Sequence, residues 1–213
     1  MRGILSPFKT VGETGYVSVI EWVKPVRALH DEAIARWKSE GVCLQMEGFL
    51  RAAEENHAFN FQLWEAEDCA RREDMGYEYV YRAKRAIDGF NQQRNNRMEL
   101  MDTLLFNALS PSQEAACPVH SETPGMMIDR LSILSLKRYH MHLQTQRTDV
   151  EPSHRESCLQ KLKTLEMQHT QLWACLEALL EEVSTHRRTF RVYYQHKMYN
   201  DPNLNPQLYQ TSS

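Results

Sequence analysis

Two neighbouring stretches of this sequence carry polar side chains at a spacing that suits one face of a helix. In the first stretch they recur at steps of three and four: His57, Asn60, Trp64, Glu67 and Arg71. In the second they recur at steps of four, three, four and seven: Lys84, Asp88, Asn91, Asn95 and Asp102. Such steps bring side chains to the same side of an α-helix. The sequence therefore predicts two helices that each present a polar stripe.

The stripe of the second helix borders an apolar face formed by Val80, Ala83, Ile87, Phe90, Met98, Met101 and Leu105. Short Asp and Asn side chains are indifferent helix formers, so their regular position beside the core points to a task other than helix formation. A short turn at Gly76-Tyr77 separates the two helices, and we expect them to pack antiparallel. The two stripes would then meet in a network of carboxylates, guanidiniums, amides and an imidazole.

One interpretation of this network is a pocket for a small anionic ligand, such as a phosphorylated sugar or a nucleotide-sugar. Four basic residues would supply charge complementarity: Arg71, Lys84, Arg94 and Arg130. Orientation would come from Asn60, Asn91 and Asn95, and Trp64 would line the pocket against a flat or sugar-like group. The candidates for acid–base work are His57, Glu67, Asp68 and Asp88. A carboxylate cluster beside Asn is also compatible with a divalent cation, although the spacing identifies no cofactor.

A further candidate lies where Thr123-Pro124 predicts the start of a later helix, with Thr123 as N-cap. Asp129 in its first turns suits the helix dipole, and Asp129 with Arg130 joins the candidate ligand-binding residues. The free N–H groups beside Gly125 are a second possible receptor for a phosphate or carboxylate.

Two alternatives to a ligand pocket stay open, as does the question of whether the protein is an enzyme. A satisfied buried network can simply fix helix register in a non-catalytic, dimeric interaction protein. Glu54-x-x-His57 and Glu166-x-x-His169 resemble the helix pairs of di-iron carboxylate bundles, with Glu67 or Glu99 as a further ligand. No nucleophile elbow, phosphate-binding loop or dinucleotide fingerprint occurs.

Net charge, cysteine spacing and hydropathy limit the classes of protein to which this chain can belong. The formal net charge is −3 and no domain-sized basic block occurs, which argues against nucleic-acid binding. Five widely spaced cysteines without a C-x-x-C motif are typical of free thiols in a reducing compartment. No apolar run approaches the length of a membrane span, and residues 1–15 lack the apolar centre of a signal peptide. We therefore expect a cytoplasmic protein.

Helix signals along the chain predict an all-α fold, an antiparallel bundle of about five long helices. The predicted helices are Val26–Ser39, Val42–Met75, Glu78–Asn107, Pro124–Gln146 and His154–His186. They lie in one bundle domain over residues 26–199, between an irregular segment (1–25, with a possible strand at 16–20) and an extended tail (200–213). The last helix carries a strict heptad seam: Cys158, Leu162, Leu165, His169, Leu172, Leu176, Leu179 and Val183. It would pack inside the bundle or form a homo-oligomer.

Four separated runs of the sequence resemble one known family. They are NFQLWEAEDCAR (60–71), KRAIDGFNQQRN (84–95), the residues around TPG (123–125) and IDRLSIL (128–134), and KMYNDP (197–202). In that order they are similar to the bacterial family known as domain of unknown function 4254, over roughly residues 44–209. The resemblance implies a bacterial source, a small helical fold and an association with cell-surface polysaccharide or glycosyl transfer. It implies no catalytic residue.

Overall fold

A computed structural model describes residues 19–196 and 201–208, and over these ranges the chain forms one short and five long α-helices. The helices are α1 (Val19–Val23), α2 (Pro25–Glu40), α3 (Gly48–Ala70), α4 (Tyr77–Leu109), α5 (Pro124–Thr145) and α6 (Pro152–Ser184). Short 3-10 turns occur at Glu73–Met75 and Pro206–Leu208. The described ranges contain no β-strand, only a lone parallel bridge between Val119 and Thr189. The predicted all-α bundle is confirmed.

The boundaries of the helices differ from the prediction in three places. The single helix predicted over Val42–Met75 begins at Gly48 and ends at Ala70. Gly76, with φ of 87°, precedes α4 instead of ending α3. Residues 19–25, predicted to be irregular or extended, contain α1, whose Val23 is buried in the core. In the predicted extended tail, residues 206–208 form a 3-10 turn, whereas residues 1–18, 197–200 and 209–213 lie outside the described residues.

Two helix hairpins, α3–α4 and α5–α6, account for most of the packing, and α5 also contacts α3 and α4. The heptad seam of α6 faces α5: all its members are buried except Leu165, which is half-buried. The seam is thus used inside the chain, because the same apolar side chains cannot also pack against a second copy. A homo-oligomer would need another surface.

The segment after α6 belongs to the core as well. Phe190 is fully buried and meets Phe106 of α4 edge-on, with ring centroids 5.8 Å apart. Backbone hydrogen bonds from His120 N to Thr189 O (2.7 Å) and from Thr189 N to Pro118 O (2.9 Å) join this segment to the α4–α5 loop. The loop before α5 is therefore held at a fixed position.

The start of α5 is built as the sequence predicts, with Pro124 in the first turn. Thr123 Oγ1 accepts a hydrogen bond from the N–H of Met126 at 3.2 Å. The carboxylate of Asp102 on α4 accepts from Gly125 N (2.6 Å) and from Thr123 Oγ1 (2.5 Å). A carboxylate of the chain itself thus occupies the N–H group that was considered for an external anion.

Candidate functional site

A buried polar network joins α3 to α5 in the middle of the bundle. We call it the inner network, and its members are Asn56, His57, Asn60, Asp129 and Ser132, all of them buried. Asp129 Oδ1 accepts from Asn60 Nδ2 at 2.9 Å and from Asn56 Nδ2 at 3.0 Å. Asn60 Nδ2 also lies 2.9 Å from Ser132 Oγ. Because the partners of these amides lie within the protein, the inner network fixes the register of α3 against α5.

His57 and Ser132 are paired as a base and a hydroxyl nucleophile would be, with Nδ1 and Oγ 2.7 Å apart. Neither residue has exposed surface. The His57 ring packs against His30 and Trp37, at centroid distances of 4.5 and 5.2 Å. Burial lowers the pKa of His57 to about 3, so its imidazole is neutral at pH 7. A substrate cannot reach this pair in the present conformation. His57 therefore has a structural role within the inner network.

Beside the inner network a cavity of about 280 Å³ opens to solvent between α3, α4 and α5. We call it the groove, and it is lined by Asn60, Leu63, Trp64, Glu67, Asp68, Arg71, Arg94, Ile133 and Leu136. Six of these nine residues are candidates named from the sequence; α3 supplies four of them and its C-cap Arg71 a fifth. Asn60 belongs to both features, so the groove has a wall fixed by the inner network.

The two guanidiniums of the groove each lie near a carboxylate and stay within reach of water. Arg71 binds Glu67 at 2.9 Å one turn away, with side chains 69% and 40% exposed. Arg94 Nε lies 3.7 Å from Asp129 Oδ1, a distance longer than a hydrogen bond. Asp68 is exposed at the rim. The groove thus combines two guanidiniums, two carboxylates, an amide and an indole, a set that can bind hydroxyl groups and an acidic group together.

The other predicted residues do not line the groove. Lys84 and Asp88 face solvent on α4, where Asp88 is bonded to Arg85 at 3.0 Å. Asn91 and Asn95 are half-buried on the same helix. Arg130 is exposed and bound to Glu122 at 2.7 Å, beside a different cavity, and Asp129 lies behind the groove in the inner network. Arg94 is the only α4 residue that lines the groove, and the expected meeting of the two stripes does not occur at Lys84 and Asp88.

Asp102, the last member of the α4 stripe, is buried but faces α5 rather than α3. Burial raises the pKa of its carboxyl to about 6, although the hydrogen bonds from Thr123 and Gly125 act in the opposite direction. A Cβ added to Gly125 would lie 2.6 Å from Met98 O and 2.7 Å from Asp102 Oδ1. Glycine is thus required where the start of α5 crosses α4.

Among the described residues, no three His, Cys, Asp or Glu side chains gather closely enough to hold a metal ion. The first Glu-x-x-His pair has other partners: Glu54 accepts from the backbone N–H groups of Gln45 and Met46, both at 2.8 Å, and from Arg36 at 3.2 Å. His169 of the second pair accepts from Trp173 Nε1 at 3.1 Å. The described part of the chain does not offer the ligand set that the di-iron alternative needs.

Several residues of the site were not named as candidates from the sequence. Asn56 lies one turn before Asn60, a spacing that could have revealed it. Ile133 and Leu136 give the groove its apolar floor on α5. Their types match those of ordinary core residues, so no sequence signal distinguishes them.

The greater part of the chain matches the model of a known family. The family model described as "Protein of unknown function (DUF4254)" matches residues 50–192, two thirds of the chain. The chain belongs to this family. No curated protein and no solved structure matches it. The matched range of the DUF4254 model spans the inner network, the groove and the buried Phe190. Within the described residues, no helix has the length and apolarity needed to cross a bilayer.

Proposed function

We propose that the groove binds a small anionic ligand, a phosphorylated sugar or a nucleotide-sugar. The observation that carries the proposal is the convergence of Asn60, Trp64, Glu67, Asp68, Arg71 and Arg94 on one solvent-open cavity. They come from two helices and include donors, acceptors and an aromatic ring. Ligand pockets commonly combine apolar walls with a few such convergent polar groups.

The chemistry of each wall suits one part of such a ligand. Trp64 and the apolar floor offer a flat surface for a sugar ring, while Glu67 and Asp68 accept hydrogen bonds from hydroxyl groups. Arg71 is available for an acidic group, because exposed ion pairs such as Arg71–Glu67 contribute little to stability and exchange partners at small cost. If the ligand is also turned over, Glu67 and Asp68 are the acid–base groups that can reach it.

A second candidate function is a non-catalytic interaction protein whose polar residues only set helix register. It is favoured by the hydrogen bonds inside the inner network, in which Asn56 and Asn60 both donate to Asp129. The two functions make different demands on the groove. A register lock needs Asn60 and Asp129 alone, whereas a binding site also needs the exposed Arg71 and Asp68.

The setting that we propose is the bacterial cytoplasm, in the metabolism of cell-surface polysaccharide, as the family resemblance implies. Free cysteines at all five positions support a reducing compartment. A homo-oligomer remains part of the proposal, through a surface other than the α6 seam.

The test is a calorimetric titration of the full chain with glucose 1-phosphate and with UDP-glucose. Arg71→Gln should weaken binding of both about tenfold, because a charge-assisted hydrogen bond contributes about 1.5–3 kcal/mol. Arg85→Gln is the matched control, since Arg85 is also exposed and ion-paired to a carboxylate three residues away but lies outside the groove. Absence of binding to both probes, or equal affinities for the two variants, would reject the proposed site.

A further inference from the structure

A second and larger cavity, of about 700 Å³, adjoins the groove and is not used by the proposed site. We call it the lysine cavity, and it is bounded by Trp64 and Asp68 of α3, Lys137 and His140 of α5, and Lys161 of α6. Trp64 and Asp68 line both cavities. These two side chains therefore form a common boundary of the two cavities.

The charge of the lysine cavity differs from that of the groove. In the groove, Arg71 and Arg94 are each beside a carboxylate. Within residues 19–196 and 201–208, neither Lys137 nor Lys161 has an ion-pair partner, and both are exposed. Against them the cavity holds one carboxylate, that of Asp68. An excess of positive charge on two facing helices attracts a phosphate or diphosphate.

The same cavity has an aromatic wall. The rings of Trp64 and His140 are stacked, 4.4 Å apart and inclined by 7°. Burial lowers the pKa of His140, so its ring is a neutral, flat surface at pH 7. Flat heterocycles stack on such surfaces in proteins that bind bases.

We infer that the lysine cavity binds the nucleotide half of a nucleotide-sugar, with the phosphates between Lys137 and Lys161 and the base against Trp64 and His140. This inference rests on the proposed function, because the sugar half then lies in the groove beside Asn60 and Arg71. The ligand passes Trp64 and Asp68, which line both cavities. The combined space exceeds what a sugar phosphate fills, which is why the inference names the larger member of the proposed ligand class.

The experiment compares binding of UDP, ADP and UDP-glucose to the full chain by calorimetry. The double variant Lys137→Ala/Lys161→Ala should lose at least tenfold in affinity for all three probes. Lys163→Ala is the matched control, because Lys163 is an exposed lysine on the same helix that does not line the cavity, and its affinities should stay within twofold. His140→Ala should weaken UDP and ADP but leave inorganic phosphate unchanged.

Two patterns of results separate this inference from the proposed function. If UDP and ADP fail to bind, or bind the double lysine variant as tightly as the unaltered protein, the lysine cavity is not a nucleotide site. The groove is then tested separately, by the binding of glucose 1-phosphate and by the effect of Arg71→Gln on that binding. If UDP binding depends on the lysines but Arg71→Gln leaves UDP-glucose unaffected, the lysine cavity is supported and the groove is rejected.

Discussion

Asn60 on α3 donates a hydrogen bond of 2.9 Å to Asp129 on α5, across 69 positions of sequence. The same carboxylate oxygen lies 3.7 Å from Arg94 Nε on α4. One buried acid thus holds three helices at a common point, and the groove begins where that point meets solvent. This geometry allows stability and ligand binding to be tested separately.

Asn60→Ala should lower the free energy of unfolding by about 1–3 kcal/mol, because Asp129 and Ser132 each lose a donor in a buried setting. The control is Asn96→Ala on α4, where a half-buried amide only bonds to Gln92 of the same helix. It should change stability by less than about 0.5 kcal/mol. Urea unfolding of both variants measures the difference, and equal values would mean that the inner network is not a structural tie.

Gly125→Ala should destabilise the protein by about 1–3 kcal/mol, because the new methyl group would overlap Met98 O and Asp102 Oδ1. Gly89 in the interior of α4 is the contrasting position, since a Cβ there meets nothing within 4 Å. Gly89→Ala should raise stability by about 0.5–1 kcal/mol through helix propensity. Thermal unfolding of the two variants measures the difference. A gain of stability in both would contradict the close contact of α4 and α5 at Gly125.

The buried histidines should make the protein sensitive to mild acid. Burial lowers the pKa of His30, His57 and His169, to about 3 for His57 and about 4 for His169, so the folded state does not take up the protons that the unfolded chain binds below pH 6.5. Each depressed pKa contributes stability above pH 6.5 that is lost as pH falls, at about 1.4 kcal/mol per pH unit.

His30→Phe isolates this effect. Both nitrogens of His30 are buried without a hydrogen-bond partner among the described residues, so the variant removes a titrating group and no polar contact. We expect it to be more stable than the original protein at pH 7 and to lose less stability on acidification. The measurement is urea unfolding from pH 7 to 4.5, and an unchanged pH slope would contradict the assignment.

Asp102 should act in the opposite direction. Its pKa is raised from 3.8 to about 6 by burial, so its contribution to stability is fully present below pH 3.8 and is lost as pH rises through about 6. Asp102→Asn removes this dependence, although it also disturbs the bonds to Thr123 and Gly125. The substitution should therefore cost more stability at pH 4 than at pH 8, by up to about 3 kcal/mol. A cost that is constant with pH would show that Asp102 titrates normally.

Local signals predicted the helices well, because caps and apolar periodicity are local. Thr123 and Pro124 gave the start of α5, and the α6 seam is buried as its heptads predict. The end of α3 at Ala70 was missed, since nothing in the composition separates Arg71 and Arg72 from a helix that continues. The seam alone also could not tell an internal partner from a second copy.

The candidate site was predicted in part. Winding the first polar stretch of the sequence by itself placed four groove residues on one face: Asn60, Trp64, Glu67 and Arg71. The sequence did not show which α4 stripe residues face another helix. A helical wheel gives the angle of each side chain about the axis of α4, but it does not give the position of α5. The half of α4 around Lys84 and Asp88 extends along α3 where only Ala83 and Ile87 are buried, and its polar side faces water. Only where α5 joins, near Arg94 and Asp102, does α4 turn polar groups inward.

Because the ring of Phe190 is buried in the core, the folded unit extends beyond the last long helix, α6. A shorter version of the chain cut after Ser184 would keep every helix and yet uncover Phe106, while the loop at Pro118–His120 would lose its two backbone partners on Thr189. Domain boundaries drawn from helices alone would therefore yield an open, aggregation-prone end. A shortened version of the chain should therefore keep Phe190.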